Sequence, residues 1–145
     1  MKGATRLSIQ SNFPSRWLLI LAMGVLILQT FLGTEVRAAI DVLANSMTRN
    51  EWVSSLGNEF FVHRAFSWLV LLVNGGLLWQ MQKTNALKTL SRAMFLLILC
   101  SLATGIGMAY LNVPPYLQPV HLVLATIVIG LQLIMFFRIG KQTAR

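Results

Sequence analysis

The sequence predicts an all-α integral membrane protein, a four-helix bundle with up-down-up-down topology. Hydrophobic residues make up 56% of the 145 residues and charged residues only 11%, with a mean hydropathy of +0.68. These values are far from those of a soluble domain of this length. Four apolar stretches are long enough to cross a hydrocarbon core of roughly 30 Å at about 1.5 Å per residue. Polar or Pro-rich segments separate the stretches, so we expect one domain in a lipid bilayer.

The predicted helices cover residues 17–34, 60–81, 93–111 and 120–137. Apolar side chains between residues 36 and 43 recur at helical spacing, which predicts that the first helix continues past the bilayer or turns onto its surface. Ser55 or Asn58 is a candidate cap for the second helix and Ser91 for the third. Pro119 suits the first turn of the fourth helix. No internal repeat is obvious in the sequence.

The charges predict the orientation of the bundle in the membrane. Of the twelve basic residues, nine precede helix 1, join helices 2 and 3 or follow helix 4, whereas all four acidic residues lie beyond the other ends of the helices. The positive-inside rule then makes both termini cytoplasmic in a bacterial-type plasma membrane. We expect a cytoplasmic segment over 1–16, a transmembrane domain over 17–138 and a cytoplasmic tail over 139–145. Because the basic residues hug helix ends, nucleic acid is not an expected partner.

A cleaved signal peptide is an alternative interpretation of the first apolar stretch. A basic segment precedes it and the small residues Ala38 and Ala39 follow it. However, its length exceeds that of a usual signal sequence and a helical pattern continues beyond it, which favours a retained helix. The single cysteine, Cys100, excludes an intramolecular disulfide, and we expect it to be a small buried side chain.

The only two histidines are the main candidates for a functional site. His63 and His121 each lie a few residues inside the same end of an apolar stretch. An ionisable side chain within a membrane is costly and usually faces the bundle interior to serve a site. Neutral imidazole is a natural axial ligand of heme iron, and a bundle can present one imidazole from each side. The pair therefore predicts one iron porphyrin between helices 2 and 4.

Three further side chains near that level are candidates for heme contacts. Arg64 follows His63 directly, and Arg37 lies at the end of helix 1, so both are candidates to pair with the heme propionates. Glu59 lies one turn before His63 and could hydrogen-bond to the imidazole, hold a water or act as an acid or base at the porphyrin edge. A plain carboxylate at a helix N-terminus is the other interpretation of Glu59.

Short motifs at these positions resemble one four-helix half of the heme A synthase (COX15/CtaA) family. The resemblance rests on Leu-Gly-Thr-Glu-Val-Arg at 32–37, Glu-Phe-Phe-Val-His-Arg at 59–64, and Gln-Pro-Val-His followed by Leu-Val-Leu-Ala-Thr at 118–126. It extends over nearly the whole chain from 17 to 138. It implies an oxidoreductase that converts a methyl group of heme O to the formyl group of heme A, the cofactor of terminal oxidases.

The resemblance also implies roles for individual residues. His63 and His121 match the paired heme-ligand histidines of a half, and Arg37 matches the arginine after its first helix. Glu59 resembles the acidic residue before the first histidine, which assists oxidation in the catalytic half. Here the spacing is Glu-x-x-x-His, whereas Glu-x-x-His is more usual in the family.

Two departures from the family pattern leave the function open between two classes. Members usually have eight helices in two halves, and many carry a cysteine pair in the first outer loop, whereas residues 35–59 contain no cysteine. The chain is expected to be either a half-size synthase, acting on heme O as a homodimer or with a homologous four-helix partner, or a heme-binding half that lacks catalysis. A b-type cytochrome that carries electrons on heme B is the alternative from another class.

Overall fold

A computed structural model describes residues 13–82 and 85–143, with side chains over 16–82 and 87–139. Its long helices are α1 (Phe13–Leu43), α3 (Asn58–Met81), α4 (Asn85–Tyr110) and α5 (Leu117–Thr143). A 3-10 turn (Arg49–Glu51) and the one-turn helix α2 (Trp52–Ser55) lie between α1 and α3. No strand occurs in the described ranges. The all-α class and the four apolar helices long enough to span a membrane are confirmed.

The four long helices form a closed ring in which each packs against two neighbours. The neighbouring pairs are α1 with α3, α3 with α4, α4 with α5, and α5 with α1. The end of α1 meets the start of α3, and the end of α4 meets the start of α5, as expected for antiparallel neighbours joined in sequence. Helices α3 and α5, which carry the two histidines, therefore lie diagonally opposite each other.

The helices extend beyond the predicted spans. Helix α1 runs without a break for 31 residues to Leu43, which is about 46 Å at 1.5 Å per residue. Of the two expectations for its end, the continued helix is therefore the one that is observed. The expected cap at Ser91 is wrong, because α4 begins at Asn85 and Ser91 is buried within it. Residues 1–12, 83–84 and 144–145 lie outside the described residues, including several of the basic residues that predict the orientation.

Apolar side chains cover both the inside and the outside of the bundle. A small core of fully buried residues, including Leu77, Met94 and Met135, runs along its axis. Large side chains such as Trp68 and Trp79 are mostly exposed on the outer faces. A lipid-facing surface is apolar because no water is present to favour polar groups there, so the outer residues fit an integral membrane protein.

The α1–α3 and α4–α5 hairpins bury equivalent positions, although the sequence shows no obvious repeat. At the offset that separates His63 from His121, each of four buried residues of α3 matches a buried residue of α5. A second offset relates three buried residues of α1 to buried residues of α4. The matched pairs are Val70 with Val128, Asn74 with Gln132, Leu77 with Met135, Met81 with Ile139, Leu19 with Ser91, Ala22 with Met94, and Leu26 with Ile98.

The segment between α1 and α3 crosses the end of the bundle at which the histidines lie. Arg49 donates to the carbonyl oxygen of Val113 at 2.7 Å, and its guanidinium lies 4.7 Å from the centre of the Trp52 ring. Asn112 donates to Asn50 at 3.1 Å. Asn112 and Val113 both adopt positive φ, which is unusual for a β-branched residue. These contacts attach the α1–α3 connection to the α4–α5 loop.

Candidate functional site

Each histidine packs against a glycine of the preceding long helix. A Cβ on Gly33 of α1 would lie 3.3 Å from Cε1 of His63, and a Cβ on Gly105 of α4 would lie 3.4 Å from Cε1 of His121. The first distance is tighter than ordinary van der Waals contact, and the second is at its lower limit. Glycine therefore permits each imidazole to lie flat against the neighbouring helix. The same Gly–His arrangement occurs once in each hairpin, and we call this end of the bundle the histidine end.

The hydrogen bonds of His121 fix its tautomer. Nδ1 lies 2.9 Å from the backbone carbonyl oxygen of Ser101, which can only accept, so Nδ1 carries the proton. The hydroxyl of Thr104 donates to the same carbonyl at 2.8 Å and accepts from Nδ1 at 2.9 Å. Nε2 then keeps its lone pair and has no hydrogen-bond partner within the described ranges. Metal-binding histidines have this arrangement, with one nitrogen anchored to a carbonyl and the other presented to the metal.

His63 has a different set of partners. Nε2 of Gln29 donates to the backbone carbonyl oxygen of His63 at 3.2 Å and lies 3.4 Å from Nε2 of the ring. An amide nitrogen only donates, so ring Nε2 is the acceptor and the proton sits on Nδ1. Nδ1 of His63 is buried and has no partner among the described residues, and the same holds for Oε1 of Gln29.

The two imidazoles lie at the same end of the bundle on diagonally opposite helices. Each is half-buried. Eleven residues farther along each helix, Gln132 donates to Asn74 at 2.9 Å, so α3 and α5 contact each other there. In the described part of the chain, no group of three or more His, Cys, Asp or Glu side chains could hold a bare metal ion.

The carboxylate of Glu59 caps its own helix. Its Oε1 accepts a hydrogen bond from the backbone N–H of Gly57 at 2.7 Å. The residue before α3 is Gly57, with no side-chain cap, so the caps expected from Ser55 or Asn58 are wrong. No hydrogen bond joins Glu59 to His63 in the described residues. The interpretation of Glu59 as a carboxylate at a helix N-terminus accounts for these contacts.

Arg37 lies one turn beyond Gly33 and links α1 to α5. It forms an ion pair with Asp41 at 2.7 Å and donates to the side-chain oxygen of Gln118, three residues before His121. It lines an open recess of about 240 Å³ together with Arg49 and Trp52. This volume is smaller than the roughly 300 to 1,000 Å³ of a typical ligand pocket. The recess is therefore too small to hold a whole porphyrin.

The remaining predicted residues lie on the outside of the bundle or against other helices. Arg64 is exposed, and within the described residues its side chain has no hydrogen bond or ion pair. The expectation that Cys100 is buried is wrong, because it lies on the exposed face of α4. A lipid-facing surface accepts a small thiol as readily as a core does, since neither contains water.

Sequence reasoning did not single out Gln29, Ser101 and Thr104 as neighbours of the histidines. Gln29 lies four residues before Gly33, and Ser101 four residues before Gly105, so each shares a helix face with the glycine that supports the ring. Polar residues in a membrane span are a usable signal for a site. Which of these residues meets which histidine depends on how the helices pair.

The sequence of the histidine end lies within a match to a known protein family. A family described as cytochrome oxidase assembly protein, COX15-CtaA, matches residues 4–133. No curated protein and no solved structure matches the chain. The match includes the whole of α1, α3 and α4 and the histidine-bearing part of α5. The chain belongs to the COX15-CtaA family of cytochrome oxidase assembly proteins.

Proposed function

We propose that this protein holds a heme between His63 and His121 and takes part in heme A synthesis by oxidising the methyl group of heme O. The observation that carries the proposal is the pair of Nδ1-protonated imidazoles at one end of the bundle. In His121, Nδ1 is anchored to the Ser101 carbonyl, and its Nε2 lone pair has no partner in the described residues. A second imidazole lies at the same end of the bundle on the diagonally opposite helix.

The residues fit an iron porphyrin better than a bare metal ion. A porphyrin supplies four nitrogen ligands, so the protein needs to provide only two axial ligands. Two histidines on opposite helices match that requirement, whereas the described residues offer no larger ligand cluster. The glycines at 33 and 105 let both rings sit close to the helix backbones. When bound, the heme supplies the redox chemistry, and heme B, heme O or heme A is the candidate group.

Basic residues at the histidine end are suited to hold the heme propionates. Arg37 lies at the recess one turn beyond Gly33, and its partner Asp41 is exposed, so a propionate could replace or share that ion pair. Arg64 lies next to His63 and has an exposed guanidinium. Arg37 and Arg64 would thereby fix which edge of the porphyrin points into the bundle.

Glu59 is the candidate catalytic residue in this proposal. It begins α3 one turn before His63, so its carboxylate lies near the level at which a ring edge would emerge. Its Oε1 accepts from the backbone N–H of Gly57 at 2.7 Å, so Oε2 is the oxygen that would act as an acid or base at the porphyrin edge during the oxidation.

That hydrogen bond also favours a second candidate, a heme-binding half or b-type electron carrier without catalysis. A carboxylate engaged in capping has a structural role already, and the two histidines alone suffice for electron transfer. The candidates differ in the heme that they carry. Co-expression with a source of heme O, followed by extraction and mass measurement of the bound heme, gives heme O or heme A for the synthase. Heme B alone would contradict synthesis and leave the electron carrier.

We further propose that the protein works as a homodimer or with a homologous four-helix partner. The chain has two histidines, so one copy provides axial ligands for one bis-imidazole heme. A second redox centre would have to come from a second bundle through a closed, self-complementary contact. Mass measurement in a mild detergent, together with heme stoichiometry, tests this. A strictly monomeric synthase with one heme and full activity would contradict it.

A further inference from the structure

The two histidines of the candidate site are unequally prepared to bind iron. Both carry the proton on Nδ1, but only that of His121 is donated to an acceptor, the Ser101 carbonyl at 2.9 Å. Nδ1 of His63 is buried without a partner in the described residues. At Nε2 the difference is reversed, because there His63 has a polar neighbour and, among the described residues, His121 has none. Nε2 of His63 lies 3.4 Å from the Gln29 amide nitrogen, whereas Nε2 of His121 has no such neighbour in the described part of the chain.

The orientation of the Gln29 amide follows from the backbone. Its nitrogen donates to the His63 carbonyl oxygen at 3.2 Å, and an amide oxygen in that place would face another oxygen. The same nitrogen is then the group nearest to ring Nε2. Oε1 of Gln29 is left buried and without a partner among the described residues. Buried polar atoms without partners are uncommon, and each calls for an explanation.

We propose that Gln29 is a positioning residue that holds Nε2 of His63 until heme iron takes that nitrogen. Once iron occupies Nε2, the amide is released, and its oxygen becomes available to the Nδ1–H of His63. The Nδ1–H of His63 then donates to Oε1 of Gln29, so that neither atom is left without a partner. His121 therefore has its Nε2 ready to bind iron. His63 can bind iron only when Gln29 leaves its Nε2. This inference rests on the proposed heme site.

Two measurable quantities then depend on Gln29: the rate at which six-coordinate heme forms and the midpoint potential of the heme. Releasing Nε2 from the amide adds a barrier to the second iron–imidazole bond, so the rate at which six-coordinate heme forms depends on it. An acceptor at Nδ1–H makes an imidazole more basic and strengthens its bond to the metal. Because that effect is larger for ferric than for ferrous iron, the midpoint potential depends on Gln29 as well.

The test uses hemin, the ferric form of heme B, with the full chain purified without heme in mild detergent. Gln29→Leu removes the amide and keeps most of the volume. We expect the six-coordinate spectrum to form about fivefold faster, the effect of removing one neutral hydrogen bond. The midpoint potential should rise by about 59 mV for each tenfold loss of ferric over ferrous affinity. Gln29→Met, which also lacks an amide, provides the same readouts if the leucine variant does not fold.

Thr30→Val is the matched control. Thr30 is the next residue of α1, and its hydroxyl donates to the Leu26 carbonyl at 3.0 Å; it has no hydrogen bond to His63 in the described part of the chain. We expect its rate and midpoint potential to equal those of the unmodified protein. The unmodified protein could form six-coordinate heme with the same rate and midpoint potential as the Gln29 variants. That result would overturn the role of Gln29 and leave the heme site intact. Failure of the unmodified protein to bind hemin through two imidazoles would overturn the heme site, and this inference with it.

Discussion

Asn74 and Gln132 hydrogen-bond to each other across the centre of the bundle, with Nε2 of Gln132 donating to Oδ1 of Asn74 at 2.9 Å. Both side chains are fully buried, and each lies eleven residues after a histidine on its helix. The bond joins the two diagonal helices about 16 Å from the histidines, at 1.5 Å per residue. It therefore sets the spacing of α3 and α5 without entering the candidate site.

Gln132→Leu is expected to destabilise the protein, because it leaves Oδ1 of Asn74 buried without a donor. The loss of a buried partner typically costs about 1 to 3 kcal/mol. The double variant Asn74→Leu/Gln132→Leu removes both polar groups, and we expect it to recover much of that loss. Thermal unfolding in detergent, arranged as a double-mutant cycle, measures the coupling. Additive losses in the double variant would show that the bond has no structural role.

Adding a methyl group at Gly33 or Gly105 should weaken heme binding. A Cβ on Gly33 would lie 3.3 Å from Cε1 of His63, so that imidazole has to move by a few tenths of an ångström. A Cβ on Gly105 would lie 3.4 Å from Cε1 of His121, at the limit of ordinary contact, so we expect the smaller effect there. Overpacking of this kind costs about 1 to 3 kcal/mol, which corresponds to affinity lower by about fivefold to a hundredfold. Hemin titration of Gly33→Ala and Gly105→Ala measures the loss.

Gly24→Ala is the control for these variants. A Cβ at Gly24 meets nothing within 4 Å, and alanine is favoured over glycine within a helix by about 1 kcal/mol. We expect unchanged hemin affinity and equal or higher stability. Equal affinity in all three alanine variants would argue against ligation by rings that lie against the glycines.

Removing either histidine should change the coordination of bound heme. In the unmodified protein we expect the Soret band and sharp reduced α-band of six-coordinate heme, since both axial positions are filled by imidazole. His63→Ala and His121→Ala should each abolish the spectrum or convert it to a five-coordinate one. Cys100→Ala, at an exposed position, is the control that should retain the heme. Unchanged spectra in both histidine variants would refute the shared-ligand site.

The orientation in the membrane follows from the distribution of basic residues. Reporter fusions after Lys83 and after Arg145 should both read cytoplasmic, and a fusion within residues 41–57 should read external, because nine of twelve basic residues lie on the first side. The histidine end then faces outward. An external C-terminus would contradict this orientation and place the candidate site at the cytoplasmic surface.

The sequence by itself determined the membrane class, the four helices and the two histidines. Long apolar runs can satisfy their backbone hydrogen bonds only as helices in lipid, so composition and length suffice for this conclusion. The family resemblance was also readable, because the short motifs around Arg37, His63 and His121 stand at the right places in the helix order. Helix ends such as that of α4 were less predictable, since its first turns mix Leu87 and Leu90 with polar and charged residues and so interrupt the continuous apolar run that marks a span.

Only the tertiary structure decided which residues surround each histidine. Gln29 and Ser101 lie on different helices from the rings that they contact, and the pairing of helices is not encoded in local periodicity. The sequence also did not reveal the similarity between the two hairpins, because matched positions such as Leu19 and Ser91 share burial but not chemistry. In lipid both faces of a helix are apolar, so hydrophobic pattern does not reveal the inner face, and side-chain packing between helices has to determine it.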